Sequence, residues 1–206
     1  MPITRILLVR HGHVEGIEPE RFRGRTDTPL TELGRRQAAA TVARIARSWR
    51  FAKVYCSPLG RCRETAHAIA DPSGSEIEVL AGLNDLDYGA WRWKTYEEVR
   101  AVAPGLFSRW FAAPDQVRFP GGESLQDLAA RAADAVCDVT QRHPNETVVM
   151  VGHDSVNRVI LMQALAQPLL AYWRITQSPC GLSEIEIGDD RTRVLRINET
   201  AHLEPA

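Results

Sequence analysis

Three short apolar runs, Thr4 to Val9, Lys53 to Cys56 and Thr147 to Val151, each give way to polar or turn residues. Such runs, rich in β-branched and aliphatic side chains, predict buried strands. Between them the apolar positions switch to helical spacing. Thr31 is placed to cap a helix that shows Ala38, Val42, Ile45, Ala46 and Trp49 on one face. Ser124 with Asp127 opens a second, presenting Leu125, Leu128, Ala129, Ala132, Val136 and Val139. Thr95 with Glu98 forms a capping box for a helix ending near Pro104, and Ser155 to Leu165 reads as another. Near the C-terminus, Ser183 to Ile187 and Arg193 to Ile197 alternate in polarity around Gly188-Asp189-Asp190, which predicts an antiparallel hairpin. Asp71 to Ser75 reads as a loop, and Pro114 to Glu123 as a turn-rich connection suited to lie over a site. The alternation predicts an α/β fold, a largely parallel sheet with one added hairpin, and a single domain over residues 1–206.

Composition narrows the classes of function. A chain of 206 residues with formal charge -1 lacks the basic excess of a nucleic-acid binder. Met1 to Arg5 leads into an apolar run too short for a signal peptide, and no stretch is apolar for long enough to cross a bilayer. The cysteines, Cys56, Cys62, Cys137 and Cys180, form no CxxC pair, so reduced thiols in a cytoplasm are expected rather than a metal cluster. No metal or cofactor is expected. Nearly all the positive charge is arginine, with lysine only at Lys53 and Lys94, so a lone arginine carries little weight.

In open α/β sheets the ligand site lies at the carboxyl ends of the strands. Arg10-His11-Gly12 follows the first predicted strand, Ser57-Pro58-Leu59-Gly60-Arg61 the second, and Gly152-His153-Asp154 the third. A single histidine after a strand is more often structural than catalytic. Here Arg10, His11, Arg61 and His153 follow three separate strands that end along one edge of the sheet, which points to a shared anion site.

Together with these loops, further motifs make the chain resemble the histidine phosphatase superfamily, also called phosphoglycerate mutase-like, over nearly its whole length. Arg10-His11-Gly12 is similar to the family signature, and Arg21 to Gly34 to the segment that follows it. Ser57 to Ala66 is similar to its arginine-bearing turn, Leu83 to Trp91 to its acidic motif, Pro120 to Leu125 to its covering loop, and Val151-Gly152-His153 to its second histidine. The ordered set is far more specific than any member of it. The resemblance implies a three-layer α/β/α fold with a mixed, mostly parallel sheet, and a phosphate pocket of Arg10, His11, Arg61 and His153, with Gly12, Arg23 and Gly24 also at the substrate. It further implies His11 as nucleophile and Asp85 as general acid, with Asp87 and Glu123 as rivals for that role. The expected activity is hydrolysis of a small phosphomonoester; phosphoglycerate-type mutation and non-catalytic binding of a phosphorylated ligand are the alternatives.

Three positions depart from the family pattern: Ile17 stands where asparagine is common, Asp85 where glutamate is usual, and Arg92-Trp93 where Glu-Gly is common. Arg21, Arg23, Arg25, Arg92 and Lys94 are candidates to line an entrance favouring a second anionic group. Tyr172 to Ile175 and Cys180 to Ser183 resemble the corresponding part of α-ribazole phosphatases. Neither the substrate nor the oligomeric state is legible from the residues.

Overall fold

A computed structural model describes residues 2–204. In chain order the elements are β1 (Ile3–Arg10), α1 (Glu32–Ser48), β2 (Lys53–Cys56), α2 (Gly60–Ala70), β3 (Ile77–Val79), α3 (Tyr96–Val102), α4 (Pro104–Ala112), α5 (Leu125–Arg142), β4 (Thr147–Gly152), α6 (Asp154–Ala164), β5 (Leu182–Gly188) and β6 (Thr192–Glu199). Short 3₁₀ turns fill several connections, among them Ala81–Leu83, Gly89–Trp91 and Leu169–Arg174. The six strands form one sheet in the order β3-β2-β4-β1-β5-β6. β1, β2, β3 and β4 run parallel, while β5 is antiparallel to β1 and β6 to β5. This is the mixed, mostly parallel α/β sheet expected.

Each inner strand buries both faces, which explains its unbroken apolar run. Leu7, Val9, Val54, Cys56, Val149 and Val151 pack with Ile45, Trp49, Cys62, Ala66 and Ile69 of the α1 and α2 side. Ile6, Leu8, Tyr55, Val148 and Met150 pack with Leu125, Leu128, Val139, Val156 and Val159 of the α5 and α6 side. The period of two along a strand makes these two sets alternate. The caps form as the residue types require: Thr31 accepts from Gly34 N, and Ser124 with Asp127 and Thr95 with Glu98 close full capping boxes.

Two elements were not foreseen. β3 has only three residues, too few for a period to show. α4 begins at Pro104, where the sequence suggested only the end of α3. Proline at the first helical position costs no hydrogen bond, so it can start a helix as readily as stop one.

Candidate active site

The parallel order brings the carboxyl ends of β1, β2 and β4 side by side, and the loops beyond them meet. His11 N bonds Gly152 O at 3.0 Å, which ties the first histidine loop to the second. His11 and His153 are buried, their rings 5.2 Å apart in an edge-on arrangement. Arg61, in the first turn of α2 and fully buried, lies between them. Its Nε donates to His11 Nε2 and to His153 Nδ1, both at 3.2 Å. Its other nitrogens donate to Thr26 O at 2.6 Å, Gly24 O at 2.7 Å and Asp85 Oδ2 at 3.0 Å. Gly24 turns its carbonyl inward with φ of 48°, and a Cβ there would lie 2.8 Å from Leu86 O, so glycine is required.

The partners assign the histidine tautomers. His11 Nδ1 lies 2.7 Å from Gly12 O, which only accepts, so Nδ1 carries the proton and Nε2 keeps its lone pair. His153 presents Nδ1 to the Arg61 donor, and its Nε2 faces Ser57 Oγ at 2.7 Å. Burial, then the charges of Arg61, His153 and Arg10, hold His11 well below the usual histidine range. Burial and the charges of Arg61 and Arg10 do the same to His153. Both rings are therefore neutral near pH 7.

A stability prediction follows from these shifts. Below about pH 6.5, the unfolded chain takes up protons that the folded one refuses, so stability present above that pH is lost as pH falls. Each histidine contributes a slope of up to about 1.4 kcal/mol per pH unit. Denaturant midpoints taken from pH 7.5 to 5 are expected to fall from about pH 6.5 downward, and less steeply with saturating inorganic phosphate, whose charge favours the imidazolium. A flat profile would contradict the buried neutral pair.

Beside this cluster opens a cavity of about 220 Å³ whose lining includes Arg10, Ile17, Arg23, Gly24, Asp85, Tyr88, Tyr96, Asp154, Ser155, Arg158 and Trp173. Arg10 donates to Gln177 O, has no carboxylate partner among the described residues, and leaves Nε unbonded. Asp85 accepts from Leu86 N at 2.9 Å and from Ser155 Oγ. Its rivals are placed otherwise. Asp87 accepts from Gly89 N at 2.9 Å and pairs with Arg92 at 3.1 Å and Arg25 at 3.5 Å. Glu123 pairs with Arg25 at 2.7 Å and Arg131 at 3.0 Å, and accepts from Asp87 N at 3.1 Å. Neither is part of the cavity wall.

Of the entrance candidates, Arg21 and Arg23 line the cavity, but Arg25, Arg92 and Lys94 do not. Asp87 and Glu123 draw Arg25 and Arg92 away. Gly12 is a glycine for a reason other than the expected approach to an anion. A Cβ there would meet Gly34 O at 2.5 Å, and its N–H is bonded to Thr65 Oγ1 at 3.2 Å. Ile17 does reach the cavity wall, apolar where the family pattern is polar. Ser57, Ser155, Arg131 and the Gln177 carbonyl were not singled out. Ser155 stands two residues beyond His153, a signal within reach; Gln177 arrives only through tertiary folding.

Residues 6–200 match the histidine phosphatase superfamily (branch 1). The chain belongs to that superfamily. Among histidine phosphatase relatives, phosphoserine phosphatase 1 of Hydrogenobacter thermophilus is 32% identical over 201 residues, 98% of this chain and 95% of that protein. The probable phosphoglycerate mutase GpmB of an Enterobacter species is 29% identical over 184 residues, 89% of this chain and 85% of that protein. The chain spans 55% of a bifunctional protein of Mycobacterium tuberculosis to which it is 32% identical. In three dimensions the fold matches YhfR of Bacillus stearothermophilus with a TM-score of 0.93 at 29% identity, covering 98% of this chain and 100% of that one. The superfamily's fold class is thus this protein's, and no helix among the described residues is long and apolar enough to cross a membrane.

Proposed function

We propose that the protein is a phosphomonoesterase that hydrolyses a small phosphorylated metabolite through a phosphohistidine on His11. The observation that carries this reading is the unprotonated Nε2 of His11, which accepts from the Arg61 guanidinium where a phosphoryl group would be drawn. Phosphoryl transfer runs through a loose transition state, so positioning and donors to the equatorial oxygens do most of the catalysis. Arg10 and Arg61 are those donors. His153 joins them by taking a proton as the phosphate charge arrives, since Nδ1 accepts from Arg61 in the free protein. Attack by Nε2 forms the N–P bond as the ester P–O bond breaks, and water then takes the phosphoryl group from His11.

Asp85 delivers the proton to the departing alcohol and later removes one from the attacking water. Its carboxylate, 3.0 Å from Arg61 Nη2 and 3.7 Å from His153 Nδ1, favours it over Asp87 and Glu123, which pair with Arg25, Arg92 and Arg131 instead. Asp85→Asn is expected to lower hydrolysis of an alkyl phosphate by about 10² to 10⁴, and hydrolysis of nitrophenyl phosphate far less, because nitrophenolate leaves without a proton. Equal losses on both esters would remove Asp85 from this role.

The phosphatase relative supports hydrolysis, and the cavity of about 220 Å³ suits a small ester. The mutase-named relative keeps a second reading open. Against it, the stretch Thr95 to Gln116 carries only Arg100 and Arg109 as cations, few for holding a second phosphate. The test is to incubate the protein with labelled phosphoglycerate and a panel of phosphomonoesters in EDTA. Release of inorganic phosphate faster than isomerisation is expected. Faster isomerisation establishes the mutase, and no turnover of any ester leaves a binder.

A further inference from the structure

Arg10 owes its aim to a turn that takes no part in the steps above. Among the described residues, its one side-chain hydrogen bond runs from Nη1 to Gln177 O. The next four residues, Ser178-Pro179-Cys180-Gly181, form a turn closed by Gly181 N on Ser178 O at 2.8 Å. Cys180 N then donates to Arg10 O at 3.0 Å and to His11 O at 3.2 Å, and Arg10 N donates to Gly181 O at 3.3 Å. This short segment therefore fixes the main chain of Arg10 and His11 and the guanidinium of Arg10.

The turn does not hold itself. Proline at its second position sets the entry, but the third position takes φ of 56°, where glycine is the usual residue and Cys180 is strained. Asn198 on β6 supplies the missing support. Its Oδ1 accepts from Ser178 N at 2.6 Å, and its Nδ2 donates to Ser178 Oγ at 3.2 Å. Asn198 has φ of 52° and lies beside the break in the β5–β6 register between Leu182 and Glu184, its own N–H going to Ser183 Oγ at 3.0 Å. That irregularity turns the amide out of the ladder and onto the turn. Asparagine suits the position twice, since it tolerates positive φ and offers an acceptor. Gly181 leaves room for it, because a Cβ there would overlap Asn198 Oδ1.

We propose that Asn198 is a positioning residue for the phosphate site: through the Ser178 to Gly181 turn it holds Arg10 and His11 in place, although it bonds to neither. The proposal rests on the phosphomonoesterase reading only for the seating of phosphate at Arg10 and His11. A side chain that merely supported folding would set how much protein is folded and nothing about the site. A positioning residue sets the affinity for phosphate in the protein that is folded.

The test measures the Kd of inorganic phosphate by calorimetry at matched folded fraction, beside kcat and KM for nitrophenyl phosphate. Asn198→Gly keeps the left-handed backbone and removes the amide. It is expected to weaken phosphate binding by about tenfold, the scale of one charge-assisted hydrogen bond, and to raise KM with it. Asn198→Asp keeps the acceptor for Ser178 N and the tolerance of positive φ, so binding close to wild type is expected. Gly181→Ala displaces the amide from the other side and is expected to match Asn198→Gly. In the double variant the two losses are expected to be less than additive, because both act through one contact. Unchanged Kd and KM in Asn198→Gly, with maximal rate falling only as the folded fraction falls, overturns the proposal. Should that variant not fold, wild-type phosphate affinity in Gly181→Ala overturns it instead. Phosphate binding that follows these expectations without hydrolysis of any ester upholds the positioning role and removes the phosphatase reading. A wild-type protein that binds no phosphate removes both.

Discussion

His11→Ala is expected to lower phosphate release by roughly 10⁴-fold or more, with the fold intact. No neighbouring group can take over the attack. His153 is hydrogen-bonded through both ring nitrogens, to Arg61 and to Ser57, and the Cys62 thiol beside it is pushed well above the usual range, chiefly by burial. The fold should tolerate the loss because the ring is bonded to Gly12 O and Arg61 rather than packed in either apolar cluster. Water can occupy the vacated space, which is lined by polar groups. The wild-type enzyme, denatured rapidly during turnover, is expected to carry acid-labile phosphate on His11, and the alanine variant none. Near wild-type turnover in the variant would end the phosphohistidine mechanism.

Arg61→Ala is expected to cost about 10³ to 10⁵ in kcat/KM, the range for removing a guanidinium that meets transferring phosphoryl charge. Truncation would also strand the carbonyls of Gly24 and Thr26 and the Asp85 carboxylate, so a drop in stability is expected alongside. Arg61→Lys separates the two effects. It restores the charge but not the planar fork that reaches both histidines and both carbonyls at once, so activity is expected between alanine and wild type. Steady-state rates at matched folded fraction check this. A lysine variant with wild-type rates would show that charge alone matters at this position.

Much of this site was legible in the residues because its members follow strand ends. β1, β2 and β4 announce themselves by buried apolar runs, and the parallel order then forces the loops holding His11, Arg61 and His153 together. Asp85 came from the acidic motif rather than from spacing. What stayed hidden depends on contacts between distant segments. Nothing near Arg25 or Arg92 in the chain shows that Asp87 and Glu123 will claim them. The carbonyl of Gln177 meets Arg10 across 167 positions, and no residue type marks a carbonyl as a ligand. β3 and α4 were missed for the opposite reason: the one is too short for a period, and the other starts on a residue usually read as a stop.

Arg131 on α5 donates to the carbonyls of Gly82, Asn84 and Asp85 and grips Glu123 with the same guanidinium. Glu123 lies in the connection before α5 and also accepts from Asp87 N, and Asp85 is the proposed acid. One side chain thus seats both segments. Loss of that guanidinium would free the Asp85 backbone and the Glu123 carboxylate together, so the aim of the proton donor depends on a residue some 46 positions away that never touches the reacting atoms.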